Sequence, residues 1–149
     1  MDVSFFDLGI DPALVRTLEE QGITEPFEVQ RETIPDSMLG NDICCRAPTG
    51  SGKTLAFGLP LISRTPRADP EFPTALILSP TRELAEQICN VLTPLASTFD
   101  LEVLAIYGGV LMEDSERLYL AESTSLSLAP DASSIYSTMA PSVWRMSGR

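Results

Sequence analysis

The sequence predicts an α/β fold, a partial domain whose parallel sheet is flanked by helices, followed by an irregular tail. Three observations predict it. Short apolar runs bounded by turn residues at 42–47 (D-I-C-C-R-A), 74–79 (T-A-L-I-L-S) and 102–107 (E-V-L-A-I-Y) read as strands buried on both faces. Helical stretches at about Lys53–Ile62 and Arg82–Phe99 separate them, and the resulting β-α-β-α-β order implies a parallel sheet covered by helices. Finally, 149 residues at 44% hydrophobic suffice for one modest domain with a buried core.

Taken in order, Asp11-Pro12 is a good helix start, Leu14, Val15 and Leu18 supply one apolar face, and Gly22 is a stop. Thr24 and Pro26 open a second helix running toward Pro35. Charge and serine usage then divide the chain near residue 110. Residues 1–110 hold 7 basic, 16 acidic and 6 serine residues, whereas 111–149 hold 3, 5 and 9. The second part shows neither sustained helical periodicity nor clean alternation, apart from a short possible helix at Glu113–Ala121.

Composition excludes several classes. A net charge of −11 opposes nonspecific attraction to nucleic acid, so any such binding must rest on a local groove. No apolar run reaches bilayer length, and the first residues carry no basic cluster ahead of an apolar stretch, so a soluble, cytoplasmic protein with no membrane partner is expected. Three cysteines, two of them adjacent at Cys44 and Cys45, do not make a disulfide framework and read as reduced core thiols. With no histidine and no paired cysteine spacing, there is no recognisable zinc site.

The chemistry concentrates at 47–54, Ala47-Pro48-Thr49-Gly50-Ser51-Gly52-Lys53-Thr54, between an expected strand and an expected helix. That context suits a phosphate-binding loop. Gly50 and Gly52 let the backbone turn its N–H groups inward, and with Ala47, Thr49, Ser51 and the helix N-terminus they form a cradle for polyanionic phosphate. Lys53, the only lysine in the chain, would reach the β- and γ-phosphates, and the Thr54 hydroxyl would ligate Mg²⁺. The bland alternative is a glycine-rich turn that happens to precede a helix.

With these residues in hand, the chain resembles the DEAD-box ATP-dependent RNA helicases over residues 4–110, through four blocks in the right order. Phe5-Phe6-Asp7-Leu8-Gly9 followed by 22–30 (G-I-T-E-P-F-E-V-Q) resembles the Q motif. The resemblance implies that Gln30 hydrogen-bonds the adenine edge and that Phe5 stacks on the ring. An amide offers the donor and acceptor that adenine N6 and N7 need. By itself Gln30 reads as an ordinary helix-surface glutamine, and Phe27 stands where the family most often has Thr. The loop at 47–54 is the second block. Pro80-Thr81-Arg82-Glu83-Leu84-Ala85 matches motif Ia, which implies that Pro80, Thr81 and Arg82 grip RNA phosphates without reading bases; alone it is a capped helix start. Gly108-Gly109 matches the glycine doublet whose backbone amides approach RNA, although a plain turn needs the same residues. ATP and Mg²⁺ are the implied cofactors, RNA is the implied partner, and the fold implied for 1–110 is part of a RecA-like domain.

Beyond Val110 the resemblance breaks, because neither T-P-G-R nor D-E-A-D follows in this frame. Loss of one base near the Val110 codon would account for the change. Read with the last base of one codon joined to the first two of the next, Leu111–Ser115 can encode S-Y-G-R-Q. In the same register, Ala121–Met146 can encode R-G-V-D-I-V-V-A-S-P-G-R-L-I-D-L-F-D-H-G-A-L-R-L-E-N, close to what the family carries there. Residues 111–149 are therefore expected to be out of frame or disordered, with a divergent surface tail as the alternative. The expected function is that of an ATP-dependent RNA helicase fragment with lysine and threonine (Lys53, Thr54) in the catalytic loop but little hydrolysis of its own. The alternatives are a non-functional gene remnant or a different P-loop nucleotide-binding protein.

Overall fold

The computed structural model describes residues 3–65, 75–105, 124–128 and 143–144. Helix α1 spans Pro12–Glu20, α2 Glu28–Met38, α3 Lys53–Arg64 and α4 Arg82–Ala96. The strands are β1 (Ala75–Ile77), β2 (Leu101–Ala105), β3 (Thr124–Leu128) and β4 (Val143–Trp144). They form one sheet in the order β2-β3-β1-β4 with every pairing parallel, so β3 lies between β2 and β1.

Helix α1 begins where the sequence places it. The Asp11 carboxylate accepts the Ala13 N–H at 2.7 Å and Pro12 takes the first helical position. It ends before Gly22, whose φ of +76° is a conformation that glycine adopts without strain. Helix α4 is capped by Thr81, whose Oγ1 accepts the Leu84 N–H at 3.2 Å, and a single 3₁₀ turn at Ser97–Phe99 completes the expected stretch to Phe99.

Four expectations are corrected. Pro35 does not end α2; the helix continues to Met38 and the Arg31 carbonyl simply goes without its intrahelical partner. The segment 42–47 has no regular secondary structure and is not a strand, and Cys44 and Cys45 are exposed rather than core thiols. A strand needs a ladder partner, and among the described residues none pairs with this run. Nor are β1 and β2 buried on both faces. Ala75, Ile77, Leu101 and Val103 join the core, while Leu76 and Glu102 between them, and Leu104 beyond, are only half-buried, because among the described residues one face meets the helix-borne core.

The irregular or disordered tail expected after Val110 is corrected at 124–128 and 143–144, which are strands of the sheet. The short helix expected at Glu113–Ala121 lies outside the described residues. The core joins Phe5, Leu8 and Ile10 to Leu14 and Leu18 of α1, Leu59 and Ile62 of α3, and Ile88, Leu92 and Leu95 of α4. Helices α3 and α4 meet closely at Gly58, where a Cβ would sit 2.3 Å from Leu92 Cδ2. Helices α2 and α3 are tied at their far ends by Arg64, whose Nη1 donates to the Ser37 carbonyl at 3.0 Å while its guanidinium covers Gly40.

Candidate functional site

The candidate site lies where α2 and α3 begin side by side. The chain enters through Pro48 and Thr49, turns left-handed at Gly50 (φ +81°), and turns left-handed again at Gly52 (φ +83°), which is the N-cap of α3. Both turns need glycine, since a Cβ in this region costs roughly 1–2 kcal/mol. At Gly52 there is also no room, because a Cβ would lie 2.3 Å from Gln30 Nε2 and 2.7 Å from Phe27 Cδ2.

No side chain caps α3, so the N–H groups of its first turn face the loop with the positive end of the helix dipole behind them. Lys53 folds back over the loop. Its ammonium donates to the Ala47 carbonyl at 2.6 Å and the Pro48 carbonyl at 2.7 Å. Those neutral acceptors are weaker than a phosphate oxygen, so an incoming polyanion can draw the ammonium away from them. The Ser51 hydroxyl is buried without a hydrogen-bond partner, and Thr54 lies half-buried on the first turn of α3. An uncapped helix start, an orphaned buried hydroxyl and one cation around a double glycine turn fit a nucleotide's phosphate tail. For the accompanying Mg²⁺, the chain offers the Thr54 hydroxyl. Among the described residues no group of three or more His, Cys, Asp or Glu could hold a metal ion without the nucleotide's oxygens.

Gln30 is not a surface residue. It is 1% exposed and both ends of its amide are engaged: Oε1 accepts the Phe27 N–H at 2.8 Å, closing the first turn of α2, and Nε2 donates to the Gly52 carbonyl at 2.9 Å. This hydrogen bond joins the two helix starts. Beside it opens a cavity of about 290 Å³, lined by Ile23, Thr24, Phe27, Gln30, Gly52 and Leu55 among others. Phe5 is not part of this cavity; it is 1% exposed and packed in the core. Phe27, to which sequence reasoning gave no role, is 58% exposed and does line it. Its place beside Gln30, three positions along the same helix start, was the signal available in the sequence.

Pro80, Thr81 and Arg82 follow β1 and open α4 at the carboxyl end of a parallel strand, where ligands bind in such sheets. All three are exposed. The Ser79 hydroxyl donates to the Thr81 carbonyl at 3.1 Å, and Thr81 caps the helix. Hydrogen bonds from its own backbone N–H and from the Thr81 hydroxyl hold the Glu83 carboxyl below its ordinary pKa. Gly108 and Gly109 lie outside the described residues. Among the described residues no helix is long and apolar enough to cross a membrane.

The profile of the DEAD/DEAH box helicase family matches residues 27–136. The chain is 37% identical over 120 residues to the ATP-dependent RNA helicase mak5 of Schizosaccharomyces pombe, covering 79% of this chain and 18% of that protein. It is 43% identical over 107 residues to the ATP-dependent rRNA helicase RRP3 of Encephalitozoon cuniculi, covering 72% and 26%. Among solved structures, the RNA helicase Prp28 of Chaetomium thermophilum bound to ADP superposes with a TM-score of 0.74 at 33% identity, over 83% of this chain and 31% of that one. A DEAD box protein from Methanococcus jannaschii gives 0.76 at 29% identity, over 85% and 34%. The chain thus spans about a quarter or less of the length of these two curated relatives.

Proposed function

The chain belongs to the DEAD/DEAH box helicase family, and from that premise we propose that it is the nucleotide-binding part of an ATP-dependent RNA helicase. The observation that carries this reading is the Gln30 Nε2 to Gly52 carbonyl hydrogen bond, which ties a purine-reading amide to the start of a phosphate cradle. Gln30 would present its remaining amide N–H and oxygen lone pair to the adenine edge. The loop formed by Ala47, Thr49, Gly50, Ser51 and Gly52 would surround the phosphates with N–H groups, and Lys53 would leave its two carbonyls for the β- and γ-phosphates. Thr54 would supply the protein's hydroxyl ligand to Mg²⁺, which when bound neutralises charge on the transferred phosphoryl group.

Pro80, Thr81 and Arg82 form the proposed contact with RNA phosphates, supported by the helix N-terminus behind them. The Gly108-Gly109 doublet is proposed to extend that contact. A cytoplasmic location fits this reading. On its own the chain should bind nucleotide and hydrolyse it negligibly, since P-loop contacts supply only part of the stabilisation that phosphoryl transfer needs. The test is equilibrium binding of ATP and GTP with Mg²⁺. A preference for ATP that Gln30→Ala abolishes, together with loss of both nucleotides in Lys53→Ala, supports the reading; equal affinity for ATP and GTP in the unsubstituted chain overturns it.

A further inference from the structure

We propose that Phe27, rather than Phe5, is the aromatic ring on which the purine stacks in this chain, because Phe27 alone of the two borders the cavity shared by Gln30 and Gly52. The proposal rests on the nucleotide-binding reading above. Phe5 is buried among Leu8, Ile10 and the α1 leucines and offers no face to a ligand without opening the core. Phe6 is exposed at 61% but does not line the cavity. Phe27 combines exposure of 58% with a position against the loop, its Cδ2 edge lying 2.7 Å from where a Gly52 Cβ would be.

A base needs two kinds of surface, an in-plane edge to hydrogen-bond and a face to stack on. The Gln30 amide supplies the first. The Phe27 ring supplies the second, with Ile23 and Leu55 as further apolar wall. Its backbone is anchored independently of its ring. The Phe27 N–H goes to Gln30 Oε1 at 2.8 Å, and its carbonyl accepts the N–H groups of Gln30 and Arg31, both at 3.0 Å. The main chain that carries the ring is therefore held in place, and truncation of the ring leaves those bonds intact. Stacking tolerates any base, so Phe27 sets affinity while Gln30 sets the choice of base.

The experiment compares ATP, GTP and inorganic tripolyphosphate binding to the full chain with Mg²⁺. Phe27→Ala should weaken ATP and GTP alike by about 5- to 100-fold and leave tripolyphosphate unchanged. Phe27→Trp, placed in a Trp144→Phe background to remove the chain's one tryptophan, should retain ATP affinity and show indole quenching with ATP but not with tripolyphosphate. The proposal is overturned if Phe27→Ala binds ATP as the unsubstituted chain does, or if Phe5→Leu alone lowers ATP affinity and spares tripolyphosphate. Failure of the unsubstituted chain to bind either probe overturns the nucleotide reading itself, and this proposal with it.

Discussion

Gln30 donates from Nε2 to the carbonyl oxygen of Gly52 across 2.9 Å, so two residues 22 positions apart hold the starts of α2 and α3 together. Its Oε1 meanwhile takes the Phe27 N–H, and no shorter side chain could do both. Gln30→Ala should therefore destabilise the chain by about 1–3 kcal/mol, the cost of leaving part-buried polar groups unpaired. Urea denaturation measures it. A loss below a few tenths of a kcal/mol would mean that the bridge is not formed in solution.

The two left-handed glycines of the loop should not respond alike. Gly50 has open space around its missing Cβ, so Gly50→Ala meets only the backbone cost of roughly 1–2 kcal/mol. Gly52→Ala adds a collision with Gln30 and Phe27 and should destabilise more, while also disturbing the cavity between them. Paired thermal melts rank the two, and the opposite order would contradict the close approach.

At the α3–α4 contact, Gly58→Ala should cost about 1–3 kcal/mol by overpacking against Leu92, which is fully buried. Combining it with Leu92→Ala makes room for the added methyl. The double-mutant cycle should then show a coupling energy of at least about 0.5 kcal/mol, whereas strict additivity would place the two side chains out of contact.

Thiol reactivity should separate the cysteines. Cys44 and Cys45 are exposed, whereas burial and the nearby Glu86 carboxylate push the Cys89 thiol above its ordinary value of 9.0. An aromatic disulfide reagent at neutral pH should titrate two thiols quickly and the third slowly, with all three reacting in denaturant. The same shift has a sign for stability. A thiol whose folded-state pKa is raised favours the folded chain below pH 9 and loses that advantage as pH rises through the folded value. Alkaline destabilisation should accordingly be smaller in Cys89→Ala.

Acid acts the other way. Hydrogen bonds from the Ser4 hydroxyl and backbone hold the Asp7 carboxyl below its ordinary 3.8, and Glu83 is held below 4.5 by its own N–H and the Thr81 hydroxyl. Groups with depressed folded-state values contribute stability above their unfolded pKa and lose it as pH falls through the folded one. Unfolding below about pH 4 should be delayed in the double variant Asp7→Asn, Glu83→Gln relative to its own stability at pH 7.

Resequencing the coding DNA addresses the expectation for residues 111–149. Shifted by one base from near the Val110 codon, the frame should continue the family's sequence through P-G-R-L and soon reach D-E-A-D. A gene without that block in the shifted frame would sink the idea of an out-of-frame tail.

Local chemistry made much of this legible. Asp11-Pro12 and Thr81 announce helix starts through their own caps, and Gly50 and Gly52 mark a loop whose backbone no other residue adopts cheaply. What failed depended on distant partners. The 42–47 run has the composition of a buried strand, but composition cannot say whether another strand will lie beside it. The alternation Ser125-Leu126-Ser127-Leu128 is too short to announce a strand by itself, yet 124–128 pairs on both sides with β2 and β1, a choice made by tertiary assembly. The difference between Phe5 and Phe27 is of the same kind, since which ring packs inward is decided by α1, α3 and α4 together.

Arg64 fastens the far end of α2 to α3 while Gln30 fastens the near end, so the two helices are stitched at top and bottom like one plank. Such a plank can tilt but cannot splay. The width of the crevice between its leading ends is thus insulated from rearrangements elsewhere in the sheet, and cutting the near stitch, as in Gln30→Ala, is the way to let it gape.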